Sequence, residues 1–158
     1  MTRFAVTGHR ELTPHTVELV SQALREALAD AGPDLVGVSC LAEGTDQIFA
    51  AETIAAGGEL RAVLPAHHYR ESLPADARHT YDMLLGKAAH VLELPFDEAG
   101  VPAYLAAAEA MLAEADELVA VWDGAVPRGR GGTAEVVAMA VRAGMPVRVI
   151  WPPGSSRA

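Results

Sequence analysis

The chain has 158 residues, of which 51% are hydrophobic and 5% aromatic, so we expect one domain with an aliphatic core. The formal net charge of −9 argues against nucleic-acid partners, because phosphate backbones are bound by basic surfaces. The single cysteine, Cys40, excludes an intrachain disulfide. We find no signal-peptide pattern at the N-terminus and no apolar run near the ~18 residues of a membrane helix. These features predict a cytoplasmic protein without a membrane partner.

Short β-rich runs alternate with helical patterns along the whole chain. In chain order they are a strand at 4–7, a helix at 13–31, strands at 35–39 and 60–64 around a helix that ends before 57–58, a helical stretch at 67–89 broken at Pro74, a strand at 91–94, a helix at 104–115, a strand at 118–122, a helix at 133–143 and a strand at 147–150. This alternation predicts a three-layer Rossmann-like α/β fold, with a mainly parallel sheet and helices on both faces. The domain is predicted to span 1–151, followed by a flexible tail at 152–158.

Polar and glycine-rich segments follow four of the predicted strands. Ligands of open α/β sheets bind outside the carboxyl ends of the strands, so we expect these segments to meet in one site. The candidate ligand-binding residues are Thr7, Gly8, His9 and Arg10 at the first strand, Glu43, Gly44 and Asp46 after the second, Pro65 and Tyr69 after the third, and Asp123, Gly124, Arg130, Gly131, Gly132 and Thr133 after the fifth.

Basic residues share this placement in an otherwise acidic chain. They are Arg10, Arg70, Arg128 and Arg130, together with His9, His67 and His68. Cations clustered at the carboxyl ends of the strands favour an anionic ligand. Surface arginines that pair with nearby acidic residues would give the same pattern.

The segment Arg130-Gly131-Gly132-Thr133 predicts a phosphate site. Adjacent glycines allow backbone N–H groups to approach a ligand, and the following helix directs its N-terminal dipole at an anion. A plain glycine turn with Thr133 as N-cap is the alternative. The chain has no G-x-G-x-x-G after its first strand and no G-x-x-x-x-G-K-[ST], which excludes an ordinary dinucleotide fingerprint and a P-loop.

Three carboxylates accompany these segments. Glu135 is a candidate catalytic residue, or else it complements the dipole of its helix. Glu43 and Asp46 either hold ribose hydroxyls or cap the second helix, and a further alternative for Asp46 is contact with backbone amides of the neighbouring loop. His67-His68 has no partner at metal-ligand spacing, so we expect no metal site, and Cys40 is interpreted as a buried, inert thiol.

Four motifs in this order resemble the SLOG superfamily of Rossmann-like proteins, which includes the Lonely Guy phosphoribohydrolases, molybdenum-cofactor carriers and the DNA-processing protein family. The motifs are Val6-Thr7-Gly8-His9-Arg10, Leu41-Ala42-Glu43-Gly44-Thr45-Asp46, Val63-Leu64-Pro65 followed by Tyr69, and Val121-Trp122-Asp123-Gly124 before Gly131-Gly132-Thr133.

The resemblance implies a nucleotide or nucleotide-derived phosphorylated ligand, bound by a sensor, carrier or regulatory module. The alternative is an N-glycosidase that acts on nucleoside 5′-monophosphates. The hydrolase motif P-G-G-x-G-T-x-x-E is matched in part, because Glu135 follows Thr133 by two residues instead of three, and Arg78 is the one candidate for its upstream arginine. The small residues of the helix at 104–115, and the pairing of relatives, suggest a homodimer.

Overall fold

The computed structural model describes residues 1–125 and 132–158. Six strands form one sheet in the order β4-β3-β2-β1-β5-β6, and every neighbouring pair is parallel. The predicted Rossmann-like α/β fold is therefore confirmed. The strands are β1 (Thr2–Gly8), β2 (Leu35–Ser39), β3 (Glu59–Leu64), β4 (His90–Glu93), β5 (Glu117–Val121) and β6 (Val147–Ile150).

Helices cover both faces of the sheet. They are α1 (Pro14–Ala29), α2 (Thr45–Ala55), α3 (Tyr69–Ser72), α4 (Arg78–Lys87), α5 (Val101–Ala113) and α6 (Thr133–Arg142). Successive strand residues point to opposite faces, so Phe4 and Val6 of β1 pack towards α1, whereas Ala5 packs towards α5 and α6. None of the described helices is long and apolar enough to cross a bilayer.

Two helical patterns have boundaries that the sequence did not give. The stretch predicted at 67–89 is divided into α3, a 3₁₀ turn at Ala75–Ala77 and α4, because Pro74 cannot continue a helix. Helix α5 begins at Val101, before the predicted residue 104, since Pro102 fits the first helical turn.

The strand order reverses between β1 and β5. The chain moves outward from β1 through β2, β3 and β4, then crosses the sheet to place β5 on the other side of β1. The two strands pair up to Gly8 and Val121 at their carboxyl ends. Connections leave these two ends in opposite directions, which opens a crevice at this point of an α/β sheet.

The segment at 152–158, for which the sequence predicts a loose tail, runs antiparallel to the loop that precedes α1. Leu12 and Arg157 form an isolated bridge. The backbone N–H of Ser156 donates to Oγ1 of Thr16 at 2.8 Å, and that of Ala158 donates to the carbonyl of Glu11 at 3.1 Å. These bonds hold the segment beside the carboxyl end of β1.

Candidate functional site

A cleft of about 450 Å³ lies at the carboxyl ends of β1 and β5. Its α2 side contains Arg10, Asp46, Tyr69 and Tyr104. Its α6 side contains His9, Asp123, Gly132, Thr133 and Arg157. Other lining residues are Val6, Thr7, Gly8, Glu11, Cys40, Ala42, Pro65, Ala107, Ala108, Met111, Ala125, Ala134 and Val136.

Two glycines allow the loop after β1 to pack tightly on the start of α2. A Cβ on Gly8 would overlap the side chain of Thr45, and one on Gly44, whose φ is +79°, would overlap the carbonyl of Arg10. The contact is fixed by Thr45, whose Oγ1 donates to the carbonyl of His9 at 3.0 Å. The glycines therefore serve the architecture of the site, and Gly44 does not line the cleft.

The turn between β2 and α2 directs Asp46 into the cleft. Leu41 adopts a left-handed φ of 60°, a conformation uncommon for a non-glycine residue. The hydroxyl of Ser39 donates to the carbonyl of Asp46 at 3.0 Å, and the N–H of Ala42 approaches its Oδ2 at 3.4 Å. Burial raises the pKa of Asp46 to about 7, although the nearby Arg10 guanidinium acts in the opposite direction.

Arg10 is already engaged by two neighbours. Its Nη1 lies 3.1 Å from Oε1 of Glu43, and its guanidinium carbon lies 5.3 Å from the centre of the Tyr104 ring. Glu43 lies outside the cleft lining and holds Arg10 in position. Tyr104 belongs to α5 and is not among the site residues predicted from the sequence.

A second group of side chains connects β1, β5 and the segment after β6. The backbone N–H of Asp123 donates to Nε2 of His9 at 3.1 Å, and the ring of Trp151 meets the imidazole edge-on at 5.5 Å between centres. The N–H of Ala125, followed by the Arg157 guanidinium, lowers the pKa of the Asp123 carboxyl. These contacts build the wall of the α6 side.

The first turn of α6 faces the cleft. Gly132 is the N-cap, with extended backbone at φ −86° and ψ 179°, and Thr133 and Ala134 follow it into the lining. Glu135 also lies in this turn, yet it does not line the cleft. Neighbouring helical residues point ~100° apart, so they reach different surroundings. The candidates Arg130 and Gly131 fall outside the described residues, as does Arg128.

Several basic residues that follow strands point away from the site. Arg70 makes two 2.8 Å bonds to Asp82 on the surface. Nδ1 of His67 lies 2.8 Å from Oε2 of Glu93. Arg78 donates to backbone carbonyls, which is a structural role. Within residues 1–125 and 132–158, Arg10 and His9 are the members of the expected basic cluster that line the cleft.

The α5 wall was missed because its residues look like ordinary core. Ala107, Ala108 and Met111 line the cleft, and the Cys40 sulfur lies 3.5 Å from that of Met111. Burial raises the pKa of the Cys40 thiol well above its ordinary value, so the thiolate is disfavoured. Nowhere in the described ranges do three His, Cys, Asp or Glu side chains converge as a metal site. Gly124 also lies outside the lining.

No protein-family model and no curated protein matches the sequence. Solved structures do match the fold. DNA processing protein A from Streptococcus pneumoniae gives a TM-score of 0.72 at 19% identity, over 98% of this chain and 52% of that one. The Helicobacter pylori protein of that name gives 0.69 at 19%, over 99% and 68%, and the molybdenum cofactor binding protein from Rippkaea orientalis gives 0.62 at 18%, over 96% and 77%.

The chain shares the fold of these neighbours. These neighbours come from groups that the motifs resemble, and the match covers nearly all of the chain. The chain spans about half the length of the S. pneumoniae protein.

The expectation that nucleic acid is excluded as a partner was wrong. The H. pylori DNA processing protein A has a single-stranded DNA binding mode, and its fold matches 99% of this chain. The net charge of −9 is a sum over the whole molecule, whereas binding depends on the potential of one surface. Net charge therefore could not support the exclusion.

Proposed function

We propose that the cleft binds a nucleotide or nucleotide-derived phosphorylated ligand, and that the protein acts as its sensor, carrier or regulatory module. The observation that carries this proposal is the first turn of α6, where Gly132, Thr133 and Ala134 line the cleft at the β1–β5 reversal. The free N–H groups and the dipole of a helix N-terminus favour a phosphate at such a place.

The dimensions and chemistry of the cleft support a ligand of mononucleotide size. Small-molecule sites usually occupy about 300–1,000 Å³ and combine apolar walls with a few polar groups. Here the cleft measures about 450 Å³, and its lining combines the apolar side chains of Ala107, Ala108 and Met111 with polar side chains. A flat base and a sugar need both kinds of surface.

The carrying role is supported by likeness at the level of the fold. The neighbour from R. orientalis is a molybdenum cofactor binding protein, and the Chlamydomonas neighbour is a carrier of the same cofactor. The Glu135 carboxylate does not line the cleft, so we propose binding in preference to hydrolysis.

The test is calorimetric titration of the purified chain with nucleoside 5′-monophosphates, the parent nucleosides and a single-stranded oligodeoxynucleotide. We expect a monophosphate to bind at least 10-fold more tightly than its nucleoside. Gly132→Val should abolish this preference, because it places a branched side chain where the phosphate would approach. A Cβ on Gly132 meets no atom of the described residues within 4 Å, so the fold should persist.

Gly100→Val is the matched control, since Gly100 is the extended N-cap of α5 and does not line the cleft. It should bind like the wild type. Equal binding by Gly132→Val and the wild type would place the site elsewhere. Tight binding of the oligonucleotide without any monophosphate binding would contradict the proposed ligand class.

A further inference from the structure

The α2 side of the cleft differs in charge from the α6 side. Among the described residues that line the α2 side, Arg10 is the one cation. Glu43 neutralises this charge, because its Oε1 lies 3.1 Å from Nη1 of Arg10. Asp46 is a second acidic side chain near Arg10, and the Arg10 guanidinium acts to lower its pKa. The Arg10–Glu43 pair has no excess of positive charge, so this side is poorly suited to a phosphate.

An unpaired hydroxyl lies on the same side. Tyr69 is 1% exposed, and its hydroxyl has no hydrogen-bond partner within the described part of the chain. Tyr69 lines the cleft, and Asp46, Arg10 and Tyr104 are among the groups that influence its ionisation. A buried hydroxyl without a partner is destabilising, and a ligand atom that bonds to it would remove this cost.

Asp46 also has unused capacity as an acceptor. The N–H of Ala42 approaches its Oδ2 at the long distance of 3.4 Å. A carboxylate offers about four lone-pair sites, and it accepts two parallel bonds from neighbouring donors. The residue therefore suits a ligand group with two donors side by side.

We propose that the α2 side binds an uncharged part of the ligand that presents two adjacent hydrogen-bond donors, with Asp46 and the Tyr69 hydroxyl as its partners, and that the phosphate lies on the α6 side. The inference rests on the proposed function and specifies the orientation of the bound ligand in the cleft. Two parts of a nucleotide have this chemistry, namely the vicinal diol of ribose and the N1–H and 2-amino edge of guanine. Arg10, already paired with Glu43, then does not bind phosphate.

The test compares six probes by titration: the ribose and 2′-deoxyribose 5′-monophosphates of guanosine, inosine and adenosine. Loss of at least 10-fold affinity on removing the 2′-hydroxyl identifies the sugar as the donor pair. The same loss from guanosine to inosine, which lacks the 2-amino group, identifies the base. Asp46→Asn should reduce either discrimination to less than 3-fold.

Tyr69→Phe should also weaken the discrimination, while the thermal stability of the ligand-free protein stays equal or rises, because the variant removes an unpaired buried hydroxyl. Tyr81→Phe is the matched control, since Tyr81 is buried against Tyr69 with ring centres 6.0 Å apart and does not line the cleft. Asp82→Asn, at an exposed surface pair, is the control for Asp46→Asn. Both controls should discriminate like the wild type.

Binding of all six probes with equal affinity would overturn the inference and leave the proposed function intact. Unchanged discrimination in both Asp46→Asn and Tyr69→Phe would have the same consequence. Absence of binding by every monophosphate would overturn the proposed function itself, and the inference with it.

Discussion

Nη1 of Arg157 lies 3.9 Å from Oδ2 of Asp123, so the segment after β6 brings a cation to the α6 side of the cleft. The separation is at the outer limit of an ion pair, and the two side chains are 30% and 21% exposed. A guanidinium held this loosely keeps donors for an anionic ligand. Arg157 thus joins the site through the tertiary structure, far from the other site residues in sequence.

Replacement of Arg157 by alanine should lower the affinity for a nucleoside monophosphate by about 10-fold, equivalent to ~1.4 kcal/mol, and leave nucleoside binding unchanged. Isothermal titration measures both. Arg148→Ala is the control, because Arg148 pairs with Glu117 at 2.9 Å and lies outside the cleft. An equal loss for monophosphate and nucleoside would mean that Arg157 shapes the wall without contacting phosphate.

Stability should depend on pH through Asp46. Its pKa is about 7 in the folded protein and ~3.9 in an unfolded chain, so its contribution to stability is greatest in acid and is lost as the pH rises from about 4 to 7. Asn cannot ionise. The free energy of unfolding of Asp46→Asn, relative to wild type, should therefore increase by roughly 2–3 kcal/mol between pH 5 and pH 8.

Urea unfolding at the two pH values gives this difference. In Asp82→Asn the same comparison should show little change, because Arg70 holds the pKa of Asp82 below its usual range, and both states are ionised above pH 5. A pH-independent difference for Asp46→Asn would show that the carboxyl titrates normally in the folded state.

Gly8→Ala should destabilise the protein by about 1–3 kcal/mol, because the new Cβ would overlap Thr45 where the β1 loop meets α2. Gly86→Ala offers a control of opposite sign. Gly86 lies within α4 with nothing near its missing Cβ, so alanine should stabilise by about 0.5–1 kcal/mol. Thermal unfolding compares the two, and an unaffected Gly8→Ala would mean that the junction can relax.

Glu135→Gln should leave ligand affinity unchanged and cost a few tenths to ~1 kcal/mol of stability, as expected for an acidic residue in the first turn of α6. The purified wild type should release no free base from nucleoside monophosphates. Chromatography of the reaction mixture detects free base. Turnover near ~1 s⁻¹ that disappears in Glu135→Gln would restore the N-glycosidase alternative.

The sequence alone determined the layers of the fold and the edge that bears the cleft. Strand and helix periodicities are local properties, and Thr13–Pro14 or Gly144 mark helix boundaries within a few residues. The carboxyl ends of parallel strands share one edge, and residues that follow β1, β2 and β5 line the cleft at that edge.

The tertiary structure decided which of those side chains enter the cleft. Glu43 and Asp46 follow the same strand, but the turn at Leu41 directs Asp46 into the cleft, whereas Glu43 pairs with Arg10. Tyr104 and Arg157 reach the site from elements that no local pattern connects to it. Side-chain direction and contacts between distant segments depend on packing, which a periodicity in one segment does not encode.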